Sequence, residues 1–366
     1  MTGIFDYLEW RGDLSFAQSA FNEVDSMILC AVSYLPLELM PNRPDKISIG
    51  NAASALLKLP NIKEQVLLKA DIPLMRALKD SARFGGLEIS ECVSIIDDVS
   101  QTQFFAITVK ISDGLSCIAF RGTDNTLVGW KEDFNMAFVC PVPAQKLAVE
   151  YLERVLRLKR GKFILSGHSK GGNLAIYAAA FCRKSLQRRI ERIYNYDGPG
   201  FDEKVLTTDG YKSVRALTAT FVPQSSIVGM LLGHEENYTI VRSKAAGIMQ
   251  HDFYSWEVKR DRFVYLDTVT ESSKFIDSSL KAWIAELDYE KREQLIDTMY
   301  TIITETSFKT IRELNENWFK SAGAILKFIH SLDDDTRRAV NQTLLSLMKC
   351  AGNNIPMLQI KKKKAP

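Results

Sequence analysis

The stretch KFILSGHSKGGNLAIYAAA, residues 162–180, decides the fold. It opens with the apolar run 163–165, breaks at Gly167-His168-Ser169-Lys170-Gly171, and continues as an alanine-rich segment that favours a helix. This order predicts a strand, a tight turn and a helix, and a G-x-S-x-G sequence in that setting indicates a nucleophile elbow. Glycines on both sides of the turn let the strand and helix backbones pass close to it. Ser169 is therefore the candidate nucleophile.

The composition is that of an ordinary globular protein. The 366 residues are 46% hydrophobic and 25% charged, and the formal net charge of +3 predicts no nucleic-acid or other polyanionic partner. The six cysteines are scattered without a C-x-x-C pair, which predicts reduced thiols. The N-terminal residues are acidic where a secretory signal is basic, and no apolar run reaches the roughly 18 residues of a transmembrane helix. We therefore expect a soluble cytoplasmic protein.

Hydrophobic periodicity divides the chain into three parts and a tail. Residues 1–85 are predicted to form a helical cap or buttress. Residues 86–268 alternate β-rich runs with helices, which predicts an α/β core with a mostly parallel sheet and helices on both faces. Residues 269–360 carry apolar stripes at helical spacing and predict a helical C-terminal domain. The basic tail 361–366 is expected to be solvated, with transient contact with a membrane surface as the alternative.

Within the predicted core, short β-rich runs lie on both sides of the elbow. An amphipathic helix is predicted over 142–159, directly before the elbow strand. The predicted strands, besides the elbow strand itself, are 92–96, 104–109, 116–120, 190–196, 214–222 and 237–241.

Ser169 needs a base, and histidine is the usual base near neutral pH. The chain has four histidines. His168 lies inside the elbow and His330 lies in the C-terminal part, which leaves His234 and His251. Because the histidine of a G-x-S-x-G hydrolase follows the last strands, the order of elements favours His251 over His234.

The sequence also offers candidates for an oxyanion hole. The first donor is the N–H of the residue after the nucleophile, Lys170, and the second comes from the loop after an earlier strand. The strand that ends at Phe120 runs into Arg121-Gly122-Thr123-Asp124, so the N–H of Thr123 is the second candidate, with its hydroxyl as a further donor. A simple polar turn is the alternative interpretation of this loop.

Four motifs in this order resemble those of class 3 (fungal-type) lipases: AFRGTD at 119–124, GWKEDF at 129–134, GHSKGGN at 167–173 and QHDFYSW at 250–256. That resemblance covers roughly residues 85–265. With WRGDLSF at 10–16, the chain is also similar to an uncharacterised bacterial family of lipase-like α/β-hydrolases. The resemblance implies an α/β-hydrolase fold, with Ser169 as nucleophile, His251 as base, and Thr123 and Lys170 as oxyanion donors.

The chain departs from the lipase pattern at the acid of the triad. Class 3 lipases carry this aspartate in a D-x-V-P-like segment, and the matching stretch here has Ser226 at the acid's position. The best substitute is Asp197, because it follows the predicted strand 190–196 and strand carboxyl ends face the site in an open α/β sheet. A turn-forming Asp-Gly is an equal alternative. Other candidates are an uncharged orienting role for Ser226 and the carboxylates of Glu235, Glu236 and Asp252.

A second departure is Lys170, where lipases usually have an apolar residue. A cation facing the site would favour an anionic substrate. We favour a side chain that points to solvent and leaves only the backbone N–H at the site.

Two functions from different classes fit these residues. The first is a serine hydrolase that acts on a small-molecule ester or thioester without a metal or cofactor, since neither zinc-ligand spacing nor a complete nucleotide-binding motif occurs. The second is a non-catalytic hydrolase-fold scaffold that binds a protein partner through the C-terminal helices. The missing acid favours the scaffold, whereas the intact elbow and His251 favour the enzyme.

Overall fold

The computed structural model describes residues 2–124, 129, 132, 135–136, 140–226, 228–230 and 232–269. These residues form the strands β1 (Lys46–Ser48), β2 (Glu88–Asp97), β3 (Thr102–Ser112), β4 (Leu115–Phe120), β5 (Lys162–His168), β6 (Ile190–Tyr196), β7 (Thr218–Pro223), β8 (Tyr238–Val241), β9 (Val258–Lys259), β10 (Arg262–Phe263) and β11 (Tyr265–Leu266).

The described α-helices are α1 (Ile4–Arg11), α2 (Glu23–Tyr34), α3 (Ile49–Leu56), α4 (Ile62–Gln65), α5 (Asp71–Lys79), α6 (Pro143–Leu158), α7 (Lys170–Phe181), α8 (Lys184–Gln187), α9 (Glu203–Leu206) and α10 (Asp209–Arg215). Short 3-10 helices cover Leu37–Leu39, Val228–Met230, Gly247–His251 and Phe253–Ser255.

One large sheet organises the molecule, in the strand order β1-β2-β3-β4-β5-β6-β7-β8-β11. Strands β4 to β8 are parallel to one another and form its centre. Strands β1 to β4 pair antiparallel at one side, and β11 pairs antiparallel with β8 at the other. Helices α6 and α7 connect consecutive parallel strands, so the chain has the α/β-hydrolase fold that the sequence predicts.

Successive side chains of a strand point to opposite faces, and both faces of this sheet are covered by helices. In β3, Phe105, Ile107 and Val109 contribute to a core with buried residues of α1, α2, α3 and α5. Phe104 and Ala106 contribute to a second core with α6, α7 and α10. The N-terminal helices are therefore one complete layer of the fold.

The predicted elements are confirmed with shifted ends, except in one place. The predicted strand 214–222 is wrong over its first residues, because α10 continues to Arg215 and β7 begins only at Thr218. Strands β1 and β11 were not predicted, since segments of three and two residues carry no measurable periodicity. The helices expected in 269–360 and the tail 361–366 lie outside the described residues, except residue 269.

A buried ion pair holds the N-terminal layer together. The guanidinium of Arg83 donates to both carboxylate oxygens of Asp25, over 2.7 Å from Nε and 2.6 Å from Nη2, and neither side chain is exposed. The hydroxyl of Tyr7 donates to the same carboxylate over 2.7 Å. Because a buried charge is tolerated only when it is paired and hydrogen-bonded, this cluster fixes α1, α2 and the segment after α5 to one another.

The elbow brings three backbone segments within van der Waals contact. A Cβ atom on Gly167 would lie 2.0 Å from the carbonyl oxygen of Gly171, and one on Gly171 would lie 2.2 Å from the carbonyl oxygen of Phe120. Between them, Ser169 has φ 56° and ψ −132°, a backbone conformation that residues with a side chain rarely adopt. Strand β5, helix α7 and the end of β4 can meet only because both flanking residues are glycines.

We predict that Gly167→Ala lowers the free energy of unfolding by at least about 3 kcal/mol, the upper range for inserting a group into a filled core. The new methyl group would collide with backbone, which cannot move aside as a flexible side chain can. Urea unfolding checks this expectation. Gly114→Ala is the matched control, because a Cβ there meets no atom within 4 Å, and we expect no loss. Equal stability of the two variants would contradict this account of the elbow.

Candidate active site

The candidate residues lie after the carboxyl ends of parallel strands, which face the same edge of the sheet. The loop with Thr123 follows β4, Ser169 follows β5, and Asp197 follows β6. Ser226 follows β7, and His251 comes later in the chain than β8. This edge is where open α/β sheets place their sites.

Ser169 is fixed by its position between β5 and α7. Its N–H donates to the carbonyl oxygen of Tyr196 over 2.9 Å, which ties the elbow to the end of β6. Lys170 is the first residue of α7, so its N–H lies at the helix N-terminus, where the helix dipole favours negative charge. An oxyanion formed on a group bound to Ser169 would meet this positive end.

His251 pairs with Asp197 through a hydrogen bond of 2.6 Å between Nδ1 and Oδ2. Because the carboxylate accepts, Nδ1 carries the hydrogen, and Nε2 of a neutral ring is left as its basic nitrogen. The ring of His251 lies against that of His168, the residue before Ser169, with centroids 4.5 Å apart. The side chain of His251 is 26% exposed and that of Asp197 is fully buried, so the imidazole reaches solvent while the carboxylate does not.

The surroundings of Asp197 explain why serine occupies position 226. The hydroxyl of Ser226 donates a short hydrogen bond to Oδ1 of Asp197, and the N–H of Gly229 donates to the same oxygen over 3.2 Å. Ser226 is thus a hydrogen-bond partner of Asp197, the candidate acid that follows β6. The loop of Asp197 also touches the elbow, since a Cβ on Gly198 would lie 2.5 Å from the carbonyl oxygen of Ser169.

The loop after β4 lies directly against the elbow. A Cβ on Gly122 would lie 3.2 Å from Cβ of Ser169, so the residue before Thr123 is packed against the candidate nucleophile. The preceding Arg121 is buried and anchors this loop, with Nη1 donating to Oε1 of Glu38 over 2.7 Å. The loop is therefore anchored to the N-terminal layer and packed against the elbow.

The prediction that the side chain of Lys170 points to solvent is wrong. Its side chain is only 1% exposed, and Nζ donates to Oε2 of Glu132 over 3.0 Å. Nζ also donates to the carbonyl oxygen and to Oε1 of Gln103, over 2.8 and 2.6 Å. The physical reason is that the buried carboxylate of Glu132 offers the ammonium a partner inside the protein.

The remaining acid and base candidates lie in other interactions. Nδ1 of His234 bonds Oε1 of Glu236 over 3.0 Å, and Glu236 also accepts from the hydroxyls of Tyr211 and Thr220. Burial opposes ionisation of Glu236, but the bonds from His234 and Tyr211 outweigh it and lower its pKa to about 2. Glu235 pairs with Arg215 at the surface, and Asp252 caps the N–H of Tyr254. None of these groups bonds His251 within the described part of the chain.

The loop that carries His251 is attached to the N-terminal layer. Tyr254 donates to Oδ1 of Asp71 over 2.7 Å, and its ring stacks on Phe5 with centroids 5.6 Å apart. Nε1 of Trp256 donates to the carbonyl oxygen of Gln250 over 2.8 Å and closes the loop on itself. These contacts fix the backbone on both sides of His251.

The described residues contain neither a cluster that could bind a metal ion nor a helix that could span a membrane. Across these residues, no three His, Cys, Asp or Glu side chains are placed to hold a metal ion. No helix in this part of the chain is both long and apolar enough to cross a membrane.

The sequence did not point to Gln103, Glu132 or Tyr34 as neighbours of the site. Glu132 lies in the GWKEDF motif at 129–134. The lysine in the elbow could have pointed to it, because a buried ammonium requires a nearby carboxylate. No comparable signal existed for Tyr34, which lies at the end of a predicted structural helix.

Comparison with known proteins gives one family. The family model described as Mbeg1-like matches residues 78–301, more than half of the chain. No functionally curated protein matches the sequence.

Several solved structures resemble the chain at low identity. The M37 lipase is 16% identical, with 58% of this chain and 70% of that chain covered and a TM-score of 0.38. A mutant of MDLA from Penicillium cyclopium is 14% identical, with 68% and 86% covered and a TM-score of 0.39. The native Rhizomucor miehei lipase with its propeptide is 16% identical, with 54% and 64% covered and a TM-score of 0.35.

We predict that Glu132→Gln lowers the free energy of unfolding by about 3 kcal/mol or more, because it leaves the buried ammonium of Lys170 without a counter-charge. Adding Lys170→Met should recover part of this loss. The control Asp113→Asn removes the exposed partner of Lys110 and should leave stability unchanged. Denaturant unfolding of the four proteins checks the prediction, and a Glu132→Gln variant as stable as the control would refute it.

Asp71 should make stability depend on pH. Burial, opposed by bonds from the Leu68 N–H and the Tyr254 hydroxyl, raises its pKa from 3.8 to about 6. The folded state thus holds the proton better than the unfolded state, so the stabilising contribution is complete below about pH 3.8 and is lost as pH rises through about 6. The loss amounts to up to about 3 kcal/mol.

Replacing Asp71 by Asn removes this titration while it keeps an acceptor for Tyr254. We expect the stability of Asp71→Asn relative to wild type to increase between about pH 4 and pH 7, measured by urea unfolding at each pH. The exposed Asp98→Asn is the control, with a constant difference expected. A constant difference for Asp71→Asn as well would show that this carboxyl does not titrate in that range.

Proposed function

The chain belongs to the Mbeg1-like family, and from the geometry of its candidate site we propose that it is a serine hydrolase that cleaves a carboxylic ester through an acyl-enzyme on Ser169. The observation that carries this proposal is the bond between His251 and the buried Asp197, with the His251 ring against that of His168, the residue before a serine held on a strained elbow. These three residue types in this arrangement activate a hydroxyl in hydrolases.

The reaction follows from the direction of the hydrogen bonds. Nε2 of His251 takes the proton from the Ser169 hydroxyl as its oxygen forms a bond to the acyl carbon of the substrate. Asp197 accepts from Nδ1 and stabilises the imidazolium that forms. When the tetrahedral intermediate collapses, the bond to the leaving oxygen or sulfur breaks and His251 returns the proton to it. Water then attacks the acyl-enzyme with the same base and releases the acid and Ser169.

The negative charge of the intermediate falls between two backbone segments. We assign the N–H of Lys170, at the N-terminus of α7, and the N–H of Thr123, in the loop against Ser169, as the oxyanion donors. Lys170 is anchored by its buried ion pair with Glu132, and the loop is anchored by the buried guanidinium of Arg121, which pairs with Glu38. Donors held in this way need no rearrangement when the charge develops.

The substrate class is a small-molecule ester or thioester. The ammonium of Lys170 is neutralised by Glu132 and turned into the protein, so it gives no reason to expect an anionic substrate. The scaffold function depended on a missing acid, and the bond from His251 to Asp197 removes that argument. The C-terminal helices proposed to bind a partner lie outside the described residues.

We expect a fluorophosphonate probe to label the purified protein once, with the adduct detected by intact mass. Ser169→Ala should show no adduct, because it lacks the nucleophile, and His251→Gln should label at a small fraction of the wild-type rate. Asp197→Asn should lower ester turnover by about 10⁴-fold, since an amide holds the wrong histidine tautomer.

The matched control is His234→Gln, which removes a second histidine that bonds a carboxylate in the described part of the chain. Labelling of this variant should equal that of wild type. Loss of labelling in His234→Gln but not in His251→Gln would transfer the role of base to His234. An unlabelled wild-type protein with a normal unfolding transition would reject the hydrolase and favour the scaffold.

A further inference from the structure

Tyr34, the last residue of α2, touches both loops that flank the candidate nucleophile. Its hydroxyl oxygen accepts from the N–H of Gly122 over 3.1 Å, in the loop that carries Thr123. The same hydroxyl lies 2.9 Å from Nδ1 of His168, whose Nε2 lies 2.8 Å from the carbonyl oxygen of His251. One tyrosine thus connects the two loops through a single imidazole ring.

The chemistry of the groups fixes the direction of these bonds. The carbonyl oxygen of His251 has no hydrogen, so Nε2 of His168 is the donor there. Burial holds the pKa of His168 well below its usual value, and a neutral ring has only one N–H, so Nδ1 accepts from the Tyr34 hydroxyl. That hydroxyl can still accept from Gly122. The hydroxyl also lies 3.4 Å from the carbonyl oxygen of His168, and Nδ1 at 2.9 Å is the nearer acceptor.

Tyr34 is itself held rigidly. The guanidinium of Arg121 donates to the carbonyl oxygens of Ser33 and Leu35, on either side of Tyr34. The tyrosine ring packs against Phe253, two residues after His251, with centroids 5.7 Å apart. Tyr34 and His168 are 4% and 5% exposed, so water does not compete for these bonds.

We propose that Tyr34 and His168 are positioning residues that set the spacing between the loop of Thr123 and the loop of His251. This inference rests on the proposed function, because it assigns those loops to the oxyanion hole and the base. A displacement of about 1 Å can cost on the order of 100-fold in rate. The bonds that hold two loops around one nucleophile therefore affect the rate of the reaction. The N-terminal layer then contributes directly to the reaction.

The first test compares Tyr34→Phe, His168→Gln and their double variant in hydrolysis of a p-nitrophenyl ester. Tyr34→Phe should lower kcat roughly 10- to 100-fold with little change in KM, because alignment is lost and binding is not. Since both residues act through one chain, the double variant should lose about as much as the more impaired single variant. Losses that multiply would overturn the proposal.

The matched control is Tyr7→Phe, which also removes a buried hydroxyl from the N-terminal layer. The hydroxyl of Tyr7 bonds Asp25 and Asn22, and neither of them belongs to the candidate site. Its kcat should equal that of wild type. An equal fall of kcat in Tyr7→Phe and Tyr34→Phe would mean general loosening and would overturn a positioning role.

A second test does not need activity. With isotope-labelled histidine, nuclear magnetic resonance of the full chain reports the four rings, which single His→Gln variants assign. Tyr34→Phe should shift the ring signals of both His168 and His251, whereas Tyr7→Phe should shift neither. Unchanged His251 signals would overturn the proposed connection between the two loops, even in an active enzyme. A protein without Ser169-dependent turnover would refute the proposed function, and the spectra would still test the connection through Tyr34 and His168.

Discussion

The buried carboxylate of Asp197 is the constraint on which the site depends. A carboxylate with no exposed surface is stable only when its oxygens accept hydrogen bonds, and Asp197 obtains them from three donors on two separate segments. His251 donates from the last loop, while Ser226 and Gly229 donate from the segment after β7. Satisfying one charge therefore brings together chain segments that are about fifty residues apart. The geometry of the histidine is a consequence of that requirement.

A second buried charge lies on the other side of the elbow and acts on different segments. Glu132 accepts from Lys170 at the start of α7, from the N–H of Gln103 in β3, and from the N–H of Ala144 in α6. Buried ion pairs add little net stability compared with apolar packing, but they tolerate few alternative arrangements. The pair at Lys170 therefore serves to define geometry. An apolar residue at that position would fill the space without fixing β3, α6 and α7 to one another.

The fold could be predicted largely because its signals are local. The apolar run, the paired glycines and the alanine-rich segment around Ser169 occupy nineteen consecutive residues, and each acts through neighbours in sequence. The antiparallel edge strands β1 and β11 were missed, since their pairing depends on the sheet and not on their own two or three residues. The choice among candidate acids stayed open for the same reason, because Asp197 and His251 meet only through tertiary structure.

Tyr34 shows where sequence reasoning stops in a different way. Residues 1–85 were expected to support the fold, and by burial they do so, as the shared core of α2 with β3 demonstrates. Yet Tyr34, the last residue of α2, takes part in the connection between the loop that follows β4 and the loop that follows β8. Strand pairing fixes where each loop starts, but it leaves the distance between loop tips free. His168, the last residue of β5, bonds the later loop, and Tyr34 of α2 joins His168 to the loop after β4. The connection therefore needs one residue of the sheet and one residue of the helix packed against it.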